Sequence, residues 1–168
     1  GPRVRSAAFR AAAAITLLLS VAAVVRLRPG PETGPPAADA LLDDQIERGR
    51  ERFHAGTSEG NEAAIAIFRS VVERDSTHAV ARSFLAAAYA ISIRPDFSRS
   101  GQTEWLDSAR GHADIAVRVA PDEPATHAAL GVVERWSGRL DDAVEHHRHA
   151  LALDPRYAQS MLETGYIN

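Results

Sequence analysis

The sequence predicts an all-α protein: an N-terminal transmembrane helix followed by an α-solenoid of about three helix pairs plus a terminal helix. Three observations lead there. Residues 11–25 read AAAAITLLLSVAAVV and hold no charge. From Asp39 onward the apolar residues recur at helical spacing rather than in alternation. Within the second half, residues repeat at an interval of 34: Pro121 and Pro155, Ala109 and Ala143, Ala116 and Ala150, Leu130-Gly131 and Thr164-Gly165. Composition agrees. The chain has 168 residues and is 45% hydrophobic, enough for a packed core, but only 6% aromatic, with Ala dominant, which favours close-packed helices over strands. The absence of Cys excludes disulfides, thiolate metal sites and a Cys nucleophile.

The basic residues are all arginine and number 19. Five of them (Arg3, Arg5, Arg10, Arg26 and Arg28) and none of the 22 acids fall in residues 1–28. The remainder therefore carries an excess of eight negative charges, so the net charge of −3 divides into a basic, apolar head and an acidic body. An acidic body argues against nucleic acid as partner.

Residues 1–28 read as a membrane anchor. A helix over Ala11–Val25 spans roughly 22 Å and one over Ser6–Leu27 roughly 33 Å, against a hydrocarbon thickness of roughly 30 Å. Ile15, Leu17, Leu18, Leu19, Val21, Val24 and Val25 supply the apolar surface. Arg10 and Arg26 bracket it and extend their guanidinium groups to the head groups. A secretory signal peptide and a buried soluble helix are the competing readings. Three arginines before the span and two after it, with acids from Glu32 on, lean toward a cytoplasmic N-terminus and a periplasmic body on the bacterial inner membrane. The start at Gly1 leaves open a processed chain or a piece of a longer one. Residues 29–38 are a linker, since Pro29–Pro36, PGPETGPP, has four prolines and two glycines in eight residues.

The body, residues 39–168, divides into units of about 41–75, 79–121, 124–155 and a half unit 156–168. In the first, Ala64-Ile65 and Phe68 mark a second helix after the turn HAGTSEGN. The next has helices Ala79–Ile91 and about Glu104–Val119, separated by a polar insertion near 94–104. In the third, Gly138 breaks the chain before Leu140 starts a second helix, and Pro155 ends it. The pairs Asp43-Asp44, Asp122-Glu123 and Asp141-Asp142 fall near predicted helix starts, where acids favour the dipole and cap free N–H groups.

A helix-turn-helix period of 34 residues resembles the tetratricopeptide repeat. Residues 124–155 carry the likeness best, with Leu130, Gly131, Ala143, Ala150 and Leu153-Asp154-Pro155 where such repeats place them. His127, Glu134 and His147 stand where aromatics are usual, and are expected to weaken the packing. The run Asp44–Pro95, with its GTSEG turn and the insertion that follows, is similar to the tetratricopeptide part of bacterial membrane sensor proteins. The resemblance implies that the first helices line a concave groove, with Arg50, Ser83, Ala87, Val132, Arg135, Trp136 and Tyr166 looking into it as partner-binding residues. Phe97 and Trp105, in or beside the insertion, form a second candidate contact.

No enzyme is expected. The sequence has no Gly-rich phosphate loop, no Gly-x-Ser-x-Gly elbow and no His-Glu-x-x-His. His146 and His149 share a helix face and are weak metal candidates, but no further ligand stands at a proper spacing, so neither metal nor cofactor is expected. The reading is a non-enzymatic, membrane-anchored scaffold that binds a protein partner. An accessory subunit of a larger bacterial membrane complex, such as envelope machinery or a photosynthetic reaction-centre type assembly, is the sharper form, with lipid met through residues 6–27. The alternatives are the sensory half of a transmembrane signalling protein whose effector lies elsewhere, and a carrier of metal or cofactor on the His cluster.

Overall fold

The computed structural model describes residues 36–95 and 102–157. The chain divides into two units, residues 1–36 and 37–168, and apart from Pro36, which opens the first helix, all that follows concerns the second. The described residues form six helices and no strand: α1 Pro36–His54, α2 Ser58–Arg74, α3 Ala79–Ile91, α4 Gln102–Val119, α5 Pro124–Trp136 and α6 Leu140–Leu153. None of these helices is long and apolar enough to cross a membrane. The proposed anchor, with Arg10, Ile15, Leu17, Leu18, Leu19, Val21, Val24, Val25 and Arg26, lies outside the described residues, as do Phe97 and Tyr166.

Local chemistry explains the boundaries. Pro36 opens α1, a place proline tolerates because the first N–H groups of a helix have no partner within it. Asp43 and Asp44 therefore sit inside α1 rather than at its start, and Asp44 pairs with Arg48 one turn on. Thr57 caps α2, its hydroxyl accepting from the Gly60 N–H. His78 caps α3 through Nδ1, and Glu123 caps α5 just ahead of Pro124. Gly138 ends α5 at φ 80°, a left-handed conformation open to glycine. The Arg139 N–H then donates to the Glu134 carbonyl and the Gly138 N–H to that of Arg135, which closes the helix end.

From α2 on, each helix packs on the next and α3 packs also on α5, while α1 meets α2 where Gly49 faces Phe68 and Arg74 donates to Gln45, so the helices form three pairs stacked in chain order. Phe53, Phe68, Phe84, Leu85, Leu130, Val132 and Val133 fill the core, with the Phe68 and Phe84 rings stacked at 5.3 Å. Alanines at 81, 86, 88, 109, 113 and 129 let the backbones approach. Each large side chain so buried contributes on the order of 2 kcal/mol. Asn61 of α2 ties the pairs together, its amide donating to the Ala88 carbonyl and the Ser92 hydroxyl.

Two glycines mark matching places in the first and third pairs. Gly49 faces Phe68, and Gly131 faces His147. The histidine at 147 thus fills a slot that an aromatic fills in the first pair.

Candidate functional site

The first helices of the pairs, α1, α3 and α5, share one face. Ser83, Phe84 and Ala87 of α3 and Ala125, Ala128 and Ala129 of α5 line a small cavity there, and Tyr157, just past α6, closes it. Apart from Phe84 the helix wall is made of small side chains, which leaves room for the Tyr157 ring at its edge. Burial pushes the Tyr157 phenol up to about 12, although the nearby Arg50 guanidinium pulls the other way. Arg50 itself stands 5.4 Å from the Phe84 ring centroid and pairs with Glu47 at 3.2 Å.

Of the residues expected to look into a groove, Arg50, Ser83 and Ala87 do meet on this face. Ser83 is 2% exposed and Ala87 4%, so the wall is covered rather than open. Val132 is 1% exposed and belongs to the hydrophobic core.

Trp136 goes elsewhere. With Ile93, Leu106, Asp107, Arg110, Ser137 and Arg139 it lines a separate crevice of about 480 Å³ between α4 and the end of α5. Arg135 lies 5.3 Å from its indole centroid. Behind this crevice Glu134 is buried, and its two oxygens accept from Arg110 and Arg139. Burial alone would raise the Glu134 carboxyl; the two arginine hydrogen bonds outweigh it and hold the group below its usual range. So Glu134 does not loosen the helix pair, as its replacement of an aromatic suggested, but anchors α4 and the α5–α6 turn to one another. Trp105 packs half-buried against Tyr89, with ring centroids 5.3 Å apart, and is tied to the helix stack.

The histidines gather between α5 and α6. The His127 ring stacks on His149 at 3.8 Å and lies 6.1 Å from His146, and its Nε2 is 2.8 Å from the Pro121 carbonyl. His147 is fully buried, and desolvation drives it down to about 4. Among the described residues no three His, Asp or Glu side chains are grouped to hold a metal ion.

No protein-family model matches the chain, nor does any curated protein. Solved structures do. The O-GlcNAc transferase of Thermobaculum terrenum aligns with TM-score 0.59 at 19% identity over 80% of this chain, which spans 23% of that protein. The Arabidopsis OM64 tetratricopeptide domain aligns with TM-score 0.54 at 14% identity, covering 77% of this chain and 95% of that one. The first tetratricopeptide domain of Spaghetti (RPAP3), solved with the HSP90 peptide SRMEEVD, gives 0.52 at 17% identity, over 75% and 89% of the two chains.

The described body has the tetratricopeptide fold. At these identities the likeness establishes the helical stack and nothing about ligand or partner. In tetratricopeptide terms the face under Tyr157 belongs to the first helices of the repeats. Sequence reasoning placed Arg50, Ser83 and Ala87 there but missed Tyr157, since a single ring beyond a helix end carries no periodic signal.

Proposed function

We propose that this chain is a non-enzymatic scaffold whose tetratricopeptide body binds a polypeptide segment of a protein partner on the α1–α3–α5 face. One observation carries the reading. The face already accepts a polypeptide side chain, the Tyr157 ring, on a floor of Ser83, Ala87, Ala125 and Ala128 beside the Arg50 cation. A rigid floor of small residues with an arginine at its edge suits an extended segment that presents an aromatic and an acceptor group. The Spaghetti domain, solved with a peptide, shares this fold and makes such a use natural.

The finer form of the proposal is an accessory subunit of a larger bacterial membrane complex. The uncharged run Ala11–Val25 between Arg10 and Arg26 supports a single membrane span, and the arginine excess before it supports a periplasmic body. The partners of the body would then be other subunits of that membrane complex.

Purification of the full chain from its native membrane in mild detergent tests this. Partner subunits are expected to co-purify, and Arg50→Glu, a partly exposed position, is expected to reduce their recovery while the circular dichroism stays unchanged. A chain that emerges alone, or recovery indifferent to Arg50→Glu, refutes the proposal.

A further inference from the structure

A second polar cluster lies where α2 and α4 flank α3, running from the exposed Arg69 to the buried Tyr89 and Arg82, apart from the face under Tyr157. Arg69 of α2 donates from Nη2 to the Tyr89 hydroxyl at 2.9 Å. The Tyr89 ring lies 5.7 Å from that of His112, and 5.3 Å from Trp105, both on α4. His112 Nδ1 in turn is 3.1 Å from Nη1 of Arg82. Arg82 is 9% exposed and also donates from Nε to the Ser76 carbonyl.

Three features of this chain of contacts stand out. First, neither Arg69 nor Arg82 forms an ion pair among the described residues, although the body carries an excess of acids. The carboxylate that acts on Arg82 is Asp75, without forming an ion pair, and its Oδ1 accepts from the N–H and hydroxyl of Thr77. Second, an arginine can only donate, so His112 Nδ1 must accept from Arg82, and its remaining proton sits on Nε2 as a donor. Third, Tyr89 accepts from Arg69, and its own proton has no acceptor among the described residues. Desolvation lowers the His112 pKa, and Arg82 and Arg69 lower it further, as expected where the local field is positive. Three helices thus bring the Arg69, Tyr89 and His112 donors together, and among the described residues no carboxylate pairs with Arg69 while the charges acting on His112 are both arginines.

We propose that this cluster is an oxyanion site for a phosphate group, held by the Arg69 guanidinium, the Tyr89 hydroxyl and Nε2–H of His112. Arg82 acts as a positioning residue: it sets the His112 tautomer and adds positive charge behind it. Arginine and neutral N–H and O–H donors from different helices suit a tetrahedral anion with several oxygens. Free phosphate and phosphate carried on a protein chain share this chemistry.

The test follows the histidine ring signals of the full chain in detergent by NMR while inorganic phosphate replaces chloride at constant ionic strength. Saturable movement of the His112 signals and a rise in its titration midpoint are expected, since an anion favours the imidazolium. Arg69→Gln, at an exposed position, is expected to weaken binding about tenfold, or about 1.4 kcal/mol. A phosphoserine peptide run beside its unphosphorylated twin separates the two sources: tighter binding than inorganic phosphate assigns the site to a phosphorylated chain, weaker binding to the free ion. No saturable movement of His112 overturns the proposal, and so does binding that Arg69→Gln leaves unchanged.

Discussion

Replacing Gly131 by alanine tests whether the third helix pair is as tightly closed as the geometry states. A Cβ at this position would lie 2.7 Å from Cε1 and Nε2 of His147 and 2.8 Å from its Cδ2. Ordinary carbon contacts lie at about 3.5–4.0 Å, so the ring would have to retreat by close to ~1 Å. It has nowhere to go, because His147 is fully buried. Overpacking of this kind costs about 1–3 kcal/mol, and the better helix propensity of alanine returns about 1 kcal/mol. Net destabilisation of about 1 kcal/mol is the central expectation. Gly111 is the control. It lies within α4 with nothing within 4 Å of its would-be Cβ, so the same substitution there should stabilise by up to about 1 kcal/mol. Urea unfolding followed at 222 nm would show midpoints moving in opposite directions with slopes unchanged. Adding His147→Ala to Gly131→Ala removes the obstructing ring, and a double-mutant cycle should return a coupling energy well away from zero. If Gly131→Ala proves as stable as the parent, or shifts in the same direction as Gly111→Ala, the close contact between α5 and α6 is wrong.

Three further outcomes follow from the buried polar groups. His147 titrates near 4 in the folded chain and near ~6.5 unfolded, so the unfolded state binds more protons between those values. Stability is full above pH ~6.5 and falls by up to ~3 kcal/mol on acidification to pH ~4, with the lowered His127 acting in the same direction. His147→Phe, which copies the Gly49–Phe68 contact, should flatten this stretch of a plot of melting temperature against pH; an unchanged slope would assign the loss to other groups. Glu134→Gln leaves two arginines without their shared anion and should cost about 2 kcal/mol by chemical denaturation at pH 7. The Glu134 carboxyl is held below its usual range, so its contribution is present above pH ~4.5 and lost as the pH falls further. The variant should lose less than the parent in that acid range. Asn61→Ala removes two buried hydrogen bonds between α2 and α3 and should cost about 1–3 kcal/mol, read as a lower urea midpoint.

The helix stack was largely legible in the sequence. Gly138 and Pro155 end helices for backbone reasons that need no knowledge of the fold: a left-handed φ at one, a missing N–H at the other. The 34-residue recurrence of small residues followed from the need of each pair to present the same close-packing surface to the next. The candidate face was legible in part, since Arg50, Ser83 and Ala87 stand on first helices at a spacing that turns them the same way. Trp136, one residue beyond Arg135 at the end of α5, turns instead into the crevice with Arg110 and Arg139.

Spacing along the chain determined the helices, their pairing and the uneven division of charge between head and body, because each of these depends on residues close in sequence. Only the tertiary structure decided what the polar replacements do. Glu134 meets arginines 24 and 5 residues away, and His127 stacks on a ring from the next helix. Whether a buried charge or imidazole weakens a core or ties it together depends on which donors the neighbouring helices bring within about 3 Å, a matter of helix rotation and contact that no single segment encodes.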